Sequence, residues 1–168
     1  MTDLQYLLRL PFWDKLTERE KEWIRSGAAI HRYPKGSRIY STSAECMGVM
    51  MLLDGELRAS VLSEEGREIT LYRLYRNEWC AMTASCILNQ ITFDTQMTAS
   101  EDCTALVIGT RVFEKLIQEN IYARCFMYEL LSERFSSVMW TMQMILFKGF
   151  DRRLASFLVG EYERTGSA

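Results

Sequence analysis

The segment Met50–Leu74, MMLLDGELRASVLSEEGREITLYRL, constrains the fold more than any other part of the chain. It reads as three short strands divided by two glycine turns. Asp54-Gly55 predicts a type I′ hairpin turn, which needs positive φ, and Asp-Gly supplies it. Glu64-Glu65-Gly66 predicts the second turn, with Gly66 in the left-handed position. The expected product is a β-meander in mid-chain. A long amphipathic helix follows it, and the two together point to a sensor rather than an enzyme.

Size and charge narrow the class. A chain of 168 residues, 48% of them hydrophobic, supplies one globular domain with a core and an appendage. Its 20 basic and 22 acidic side chains leave a net charge of −2, so the chain as a whole lacks the basic footprint of a nucleic-acid binder. The apolar runs are too short to span a bilayer, and MTDLQYLLRL lacks the basic region and cleavage site of a signal peptide. The expectation is a cytoplasmic protein with no membrane contact. Cys46, Cys80, Cys86, Cys103 and Cys125 are odd in number and form no Cys-x-x-Cys, which predicts reduced thiols rather than a disulfide framework.

Residues 10 to 27 read as a helix, with Thr17 able to cap, Glu20 three residues later, and Gly27 as a stop. Ile30–Tyr33 alternates, Pro34-Lys35-Gly36 makes a turn, and Arg38–Tyr40 continues extended. After the meander, Arg76–Gln90 has no clean period. Strands are expected at Thr92–Thr98 and Thr104–Ile108, around a turn at Glu101-Asp102. Short strands at this spacing predict an α+β chain built on an antiparallel β-roll or jelly roll.

The period then becomes helical. Val112–Gln118 reads as a short helix, and Ile121–Phe147 as a long one without Gly or Pro. Tyr128, Leu131, Phe135, Val138, Met142 and Ile145 step by three and four, a heptad seam of about three heptads. Further apolar residues lie off the seam, so two faces should be buried, one on the roll and one on a partner. The expected partner is the same helix of a second copy, in a two-fold homodimer; burial within a single domain is the alternative. Gly149 should break the helix and Asp151 cap a last segment, Arg152–Glu163. Its apolar face has nothing after it to pack on, which implies a further domain or a partner.

The order of a short N-terminal helix, a roll carrying Tyr33-Pro34-Lys35-Gly36-Ser37 and Leu53-Asp54-Gly55-Glu56-Leu57, a long helix, and then Phe150-Asp151-Arg152-Arg153-Leu154 resembles the Crp/Fnr family of bacterial transcription regulators. The resemblance covers nearly the whole chain. It implies an effector-sensing domain over residues 1–110, a dimerisation region over 111–148, and over 149–168 a hinge (Lys148, Gly149, Phe150, Asp151) with the first helix of a DNA-binding domain. The helix-turn-helix itself would be missing, so DNA would be contacted only through that absent part.

In cyclic-nucleotide members of the family, a Gly-Glu pair and a later Arg hold the ligand. The matching positions here are Ala81-Met82 and Thr92-Phe93, and no arginine lies between Arg76 and Arg111. A phosphate buried without a counter-charge costs several kcal/mol, so no cyclic AMP binding is expected. What the resemblance leaves as effector site is Trp79, Cys80, Met82, Thr83, Ser85 and Cys86, facing Thr92 and Phe93. Arg134, Val138 and Met139 approach from the long helix. A small, weakly charged effector suits such a pocket, though its identity is not legible.

No cofactor is predicted. Without a cysteine before Cys46 the family's iron–sulfur motif is absent, and His31 is the only histidine, a poor haem ligand in a predicted strand. The same shortage argues against zinc and against a nucleophile–base pair, hence against an enzyme. Two alternatives stay open: a stand-alone small-molecule-binding module controlling a partner protein, and a thiol redox sensor using Cys80 and Cys86.

Overall fold

The computed structural model describes residues 4–41, 47–81 and 95–166. A short helix α1 (Leu4–Leu7) and a 3-10 turn (Trp13–Lys15) lead into helix α2 (Glu18–Gly27). Among the described residues eight strands follow: β1 (Ala28–Tyr33), β2 (Arg38–Ser41), β3 (Val49–Asp54), β4 (Leu57–Leu62), β5 (Glu68–Leu74), β6 (Trp79–Cys80), β7 (Thr95–Ala99) and β8 (Cys103–Ile108). Helices α3 (Thr110–Glu119), α4 (Ile121–Phe147) and α5 (Phe150–Thr165) complete the chain. The strands form two antiparallel sheets, ordered β1-β8-β3-β6 and β2-β7-β4-β5. This is the antiparallel roll with flanking helices that the strand spacing predicts.

The meander is corrected. β3 and β4 do not pair: β3 lies between β8 and β6 in one sheet, and β4 between β7 and β5 in the other. Asp54-Gly55 therefore carries the chain from sheet to sheet and is no type I′ turn; only Gly55 of the two has positive φ. Only the second turn closes a hairpin, β4–β5, with Gly66 at φ +79°. The reason lies in β3 itself. Its run Val-Met-Met-Leu-Leu is buried on both faces, which demands a central strand covered on either side. Val49, Met51 and Leu53 join a core with the helices, while Met50 and Leu52 join the interior between the two sheets. The layering is helices, first sheet, second sheet.

The expected N-terminal helix begins later, at Glu18, because Thr17 forms a capping box there; residues 10–16 are turns and the 3-10 segment. Glu20 Oε2 accepts from the Thr17 N–H at 2.7 Å and its hydroxyl at 2.8 Å. Asn120 Nδ2 donates to the other oxygen, Oε1, at 3.0 Å. Asn120 is in turn the N-cap of α4, accepting from the N–H groups of Tyr122 and Ala123. One carboxylate thus joins the caps of two helices, and it ties the start of the long helix to the N-terminal segment.

Helix α4 runs unbroken for 27 residues, about 40 Å at 1.5 Å per residue. Its first turns are buried through Ala123, Phe126, Met127 and Leu130. Beyond these it emerges from the core. At its end, Gly149, not Asp151, is the N-cap of α5, and Asp151 sits in the first turn, where its charge favours the helix N-terminus.

Candidate functional site

β6 pairs with β3, Cys80 opposite Met50 and Trp79 opposite Met51. Alternation sends their side chains to opposite faces. The Trp79 ring packs in the helical core, edge-on to Phe126 with centroids 5.7 Å apart. Cys80 points into the roll, fully buried, with Sγ 3.8 Å from the Tyr72 hydroxyl. Of the sequence-predicted effector residues, Met82, Thr83, Ser85, Cys86, Thr92 and Phe93 lie outside the described residues, as does Cys46.

Arg134, Val138 and Thr141 stand at i, i+4 and i+7, on one face of α4 turned to the roll. Arg134 Nη2 donates to the Trp79 carbonyl at 3.0 Å and lies 3.7 Å from the Glu78 carboxylate. Its guanidinium sits over the Tyr72 ring, 4.8 Å from the centroid. The Arg134 side chain is only 12% exposed, and among the described residues its Nε has no hydrogen-bond partner. Val138 packs against the roll interior. Thr141 Oγ1 donates to the Leu71 carbonyl at 2.8 Å.

That last contact depends on a bulge. Ala59 pairs with Tyr72 and Ser60 with Thr70, so Leu71 is the extra residue of β5. A bulge leaves its residue outside the ladder, and the freed carbonyl meets Thr141. Helix and roll are therefore joined by two polar clamps with Val138 between them.

The predicted seam divides. Tyr128, Phe135, Met142 and Ile145 are exposed, while Leu131 and Val138 are half-buried toward the roll; Met139 is exposed beside them. A groove of about 670 Å³ runs between α4 and the β4–β5 hairpin, walled by Val61, Ile69 and Leu71 on one side and by helix residues from Leu131 to Leu146 on the other. Arg134 and Thr141 are its polar members on the helix.

Reasoning from sequence put Arg134 near the site but left its charge out of the weighing of anions. The site has a cation after all, delivered by the helix. Tyr72, Glu78, Leu71 and Thr141 were missed altogether. Thr141 and Arg134 were the available signal, as polar residues on an otherwise apolar helix face. His31 is exposed on β1 and stacks on Tyr33. Among the described residues no cluster of His, Cys, Asp or Glu can hold a metal ion, and no helix is long and apolar enough to cross a membrane. Cys80, Cys103 and Cys125 form no disulfide among the described residues; burial pushes the Cys103 thiol up, and its Sγ donates to the Glu56 and Glu101 carbonyls.

Roll, flanking helices and the sensor-facing side of α4 together define a cyclic-nucleotide-binding-type sensor fold. The family model for the cyclic nucleotide-binding domain matches residues 30–120. Among solved structures, a protein from Eubacterium rectale assigned to the Crp/Fnr family of transcriptional regulators superposes with a TM-score of 0.88 at 34% identity, over 94% of this chain and 73% of that one. FixK2 of Bradyrhizobium japonicum (0.69, 16% identity, 82% of this chain and 67% of that one) shares the fold. So does a mutant CooA of Carboxydothermus hydrogenoformans (0.66, 22%, 93% and 66%). No curated protein sequence matches the chain significantly. The chain belongs to the Crp/Fnr family, and it spans two thirds to three quarters of the length of these relatives.

Proposed function

We propose that this chain is the effector-sensing and dimerising part of a Crp/Fnr-type transcription regulator. A small effector lodged between the roll and α4, in contact with Cys80, Arg134, Val138 and the segment after Ala81, shifts the long helix. Two copies of α4 pair along Tyr128, Leu131, Phe135, Val138, Met142 and Ile145. The shift passes through the hinge at Lys148-Gly149 into α5 and whatever DNA-reading unit it opens, and so alters the spacing of two such units along DNA. The effector does this only by binding the two dimer arrangements unequally.

The observation that carries the reading is the division of α4 into two faces. One is clamped to the roll through Arg134 and Thr141. The other presents Tyr128, Phe135, Met142 and Ile145 to solvent. A helix so placed converts a change at the roll into a change at a partner. Cyclic AMP remains a poor candidate, because the guanidinium that the described residues bring to the site comes from α4 and is already engaged with Trp79 and Glu78.

The test uses the gene product read through to its natural stop codon. It should bind a two-fold symmetric DNA site in a gel-shift assay, and Phe135→Glu should abolish that binding. A product with no helix-turn-helix and no DNA affinity would instead be a stand-alone binding module.

A further inference from the structure

We propose that the cleft enclosed by α5, α4 and β5 is a second small-molecule site, and that it takes an uncharged planar heteroaromatic compound between Trp140 and Phe157. The cleft lies apart from the seam and from the effector position beside Arg134. A ligand in it holds α5 against the roll.

The hinge builds the cleft. Only Lys148 and Gly149 separate α4 from α5. Trp140 stands seven residues from the end of α4 and Phe157 seven from the start of α5, about 10 Å of helix in each case. Ser136 and Glu161 repeat the match eleven residues in. Both pairs open on one cavity, so α5 doubles back along α4. Residues Thr70 to Arg73 of β5 close the third side. At about 790 Å³ the cavity falls in the range of small-molecule sites.

Two observations indicate what it holds. The first is the pair of rings. Trp140 is 56% exposed and Phe157 53%, and among the described residues neither ring stacks on another. Two large rings that border one gap without touching leave apolar surface wet on both walls. A flat aromatic compound between them covers both and gains the stacking energy.

The second is the polar part of the lining. Thr70 and Ser136 bring hydroxyls, which both donate and accept. Ser137 and Thr141 already donate to the Glu133 and Leu71 carbonyls, and their oxygens still accept. The cation of the described lining, Arg73, is ion-paired with Glu56, and Glu161 adds a carboxylate from α5. An anionic ligand would meet that carboxylate without a free counter-charge. A neutral ring system carrying an N–H and a carbonyl matches the hydroxyls instead.

The position is compatible with a helix-paired dimer. Trp140 lies five residues past Phe135, about 140° around the helix, so two α4 helices paired along the seam leave it uncovered. The Thr141–Leu71 clamp forms part of the cleft wall. A ligand there touches roll, long helix and hinge helix at once. It favours the arrangement with α5 folded back, because only that arrangement brings Phe157 to Trp140.

The experiment is an NMR titration of the chain, isotope-labelled at its 4 tryptophans, with carbostyril. Perhydrocarbostyril, which is not planar, and quinaldate, an aromatic anion of similar size, are the controls. Sedimentation is measured in parallel. Carbostyril should shift the Trp140 indole signal, assigned with Trp140→Phe, in a saturable way and leave those of Trp13 and Trp23 in place. Both controls should bind about tenfold more weakly, and Phe157→Ala should weaken carbostyril by about as much. Ser136→Trp, at an exposed position on the α4 wall, should fill the cleft and block the probe, so the proposal is still tested if the first variant folds poorly. No saturable shift at Trp140, equal affinity for either control, or unchanged binding in both variants overturns it. A monomer that binds carbostyril at Trp140 sinks the dimer and spares the cleft. A dimer whose Trp140 signal stays in place does the reverse.

Discussion

Glu20 is the residue on which two helix starts depend. Burial opposes its ionisation, but hydrogen bonds from the Thr17 N–H and hydroxyl and from Asn120 outweigh it, and its carboxyl is held below the usual range. A lowered native pKa stabilises the fold in full above the ordinary carboxylate pKa, and the contribution is lost as pH falls through the lowered value. Urea unfolding should therefore find Glu20→Gln about 1 kcal/mol less stable than wild type at pH 7, with the gap narrowing at pH 3. A gap independent of pH would remove the ionised carboxylate from the argument. Two glycines allow a cleaner comparison. Both Gly55 and Gly66 have positive φ, where an L side chain costs about 1–2 kcal/mol. At Gly66 a Cβ meets nothing within 4 Å, whereas at Gly55 it would lie 2.5 Å from the Asp102 carbonyl oxygen and 2.7 Å from Cys103 Sγ. Gly66→Ala should cost about 1 kcal/mol and Gly55→Ala clearly more, as read from thermal unfolding. Equal costs would mean that the sheet crossover tolerates a shift of Asp102.

Among the elements, α4 was the most legible in sequence. Its bounds, Ile121–Phe147, are those the periodicity predicts, because no Gly or Pro interrupts a run of good helix formers. The strands were legible in position but not in pairing. Asp-Gly is a local signal, and the fate of β3 was decided by a non-local demand, the need to bury both of its faces. Its unalternating apolar run was the clue that it belonged in a sheet centre. The candidate site was legible only in part. Arg134 and Val138 came from the resemblance, but the bulge at Leu71 that lets Thr141 grip β5 has no sequence signature. Because α4 has two faces, substitutions on it should separate. Leu130→Ala, in the core, should cost about 2–5 kcal/mol of stability. Met142→Glu, at a 46% exposed seam position, should leave the thermal midpoint of the dissociated chain nearly unchanged and act on association. A large loss of monomer stability in Met142→Glu would place that face within the chain's own core.

In the whole molecule, the proposed roles are a roll that senses and a helix that reports. The layered core holds the roll rigid, whereas α4 beyond Leu130 is attached by two polar clamps and Val138. In the proposed function, this attachment is the point at which a ligand would bias the helix. The exposed apolar rows of α4 and α5, among them Phe135, Phe147, Phe150 and Phe157, are more than a solvated surface carries without a partner. The proposed dimer therefore depends on the seam. Sedimentation equilibrium of residues 1–168 at micromolar concentration tests it most directly. It should return about twice the 19.6 kDa chain mass, falling to a single chain in Phe135→Glu. A wild-type chain that sediments as a monomer across the accessible concentrations, or a dimer that Phe135→Glu leaves intact, would contradict it.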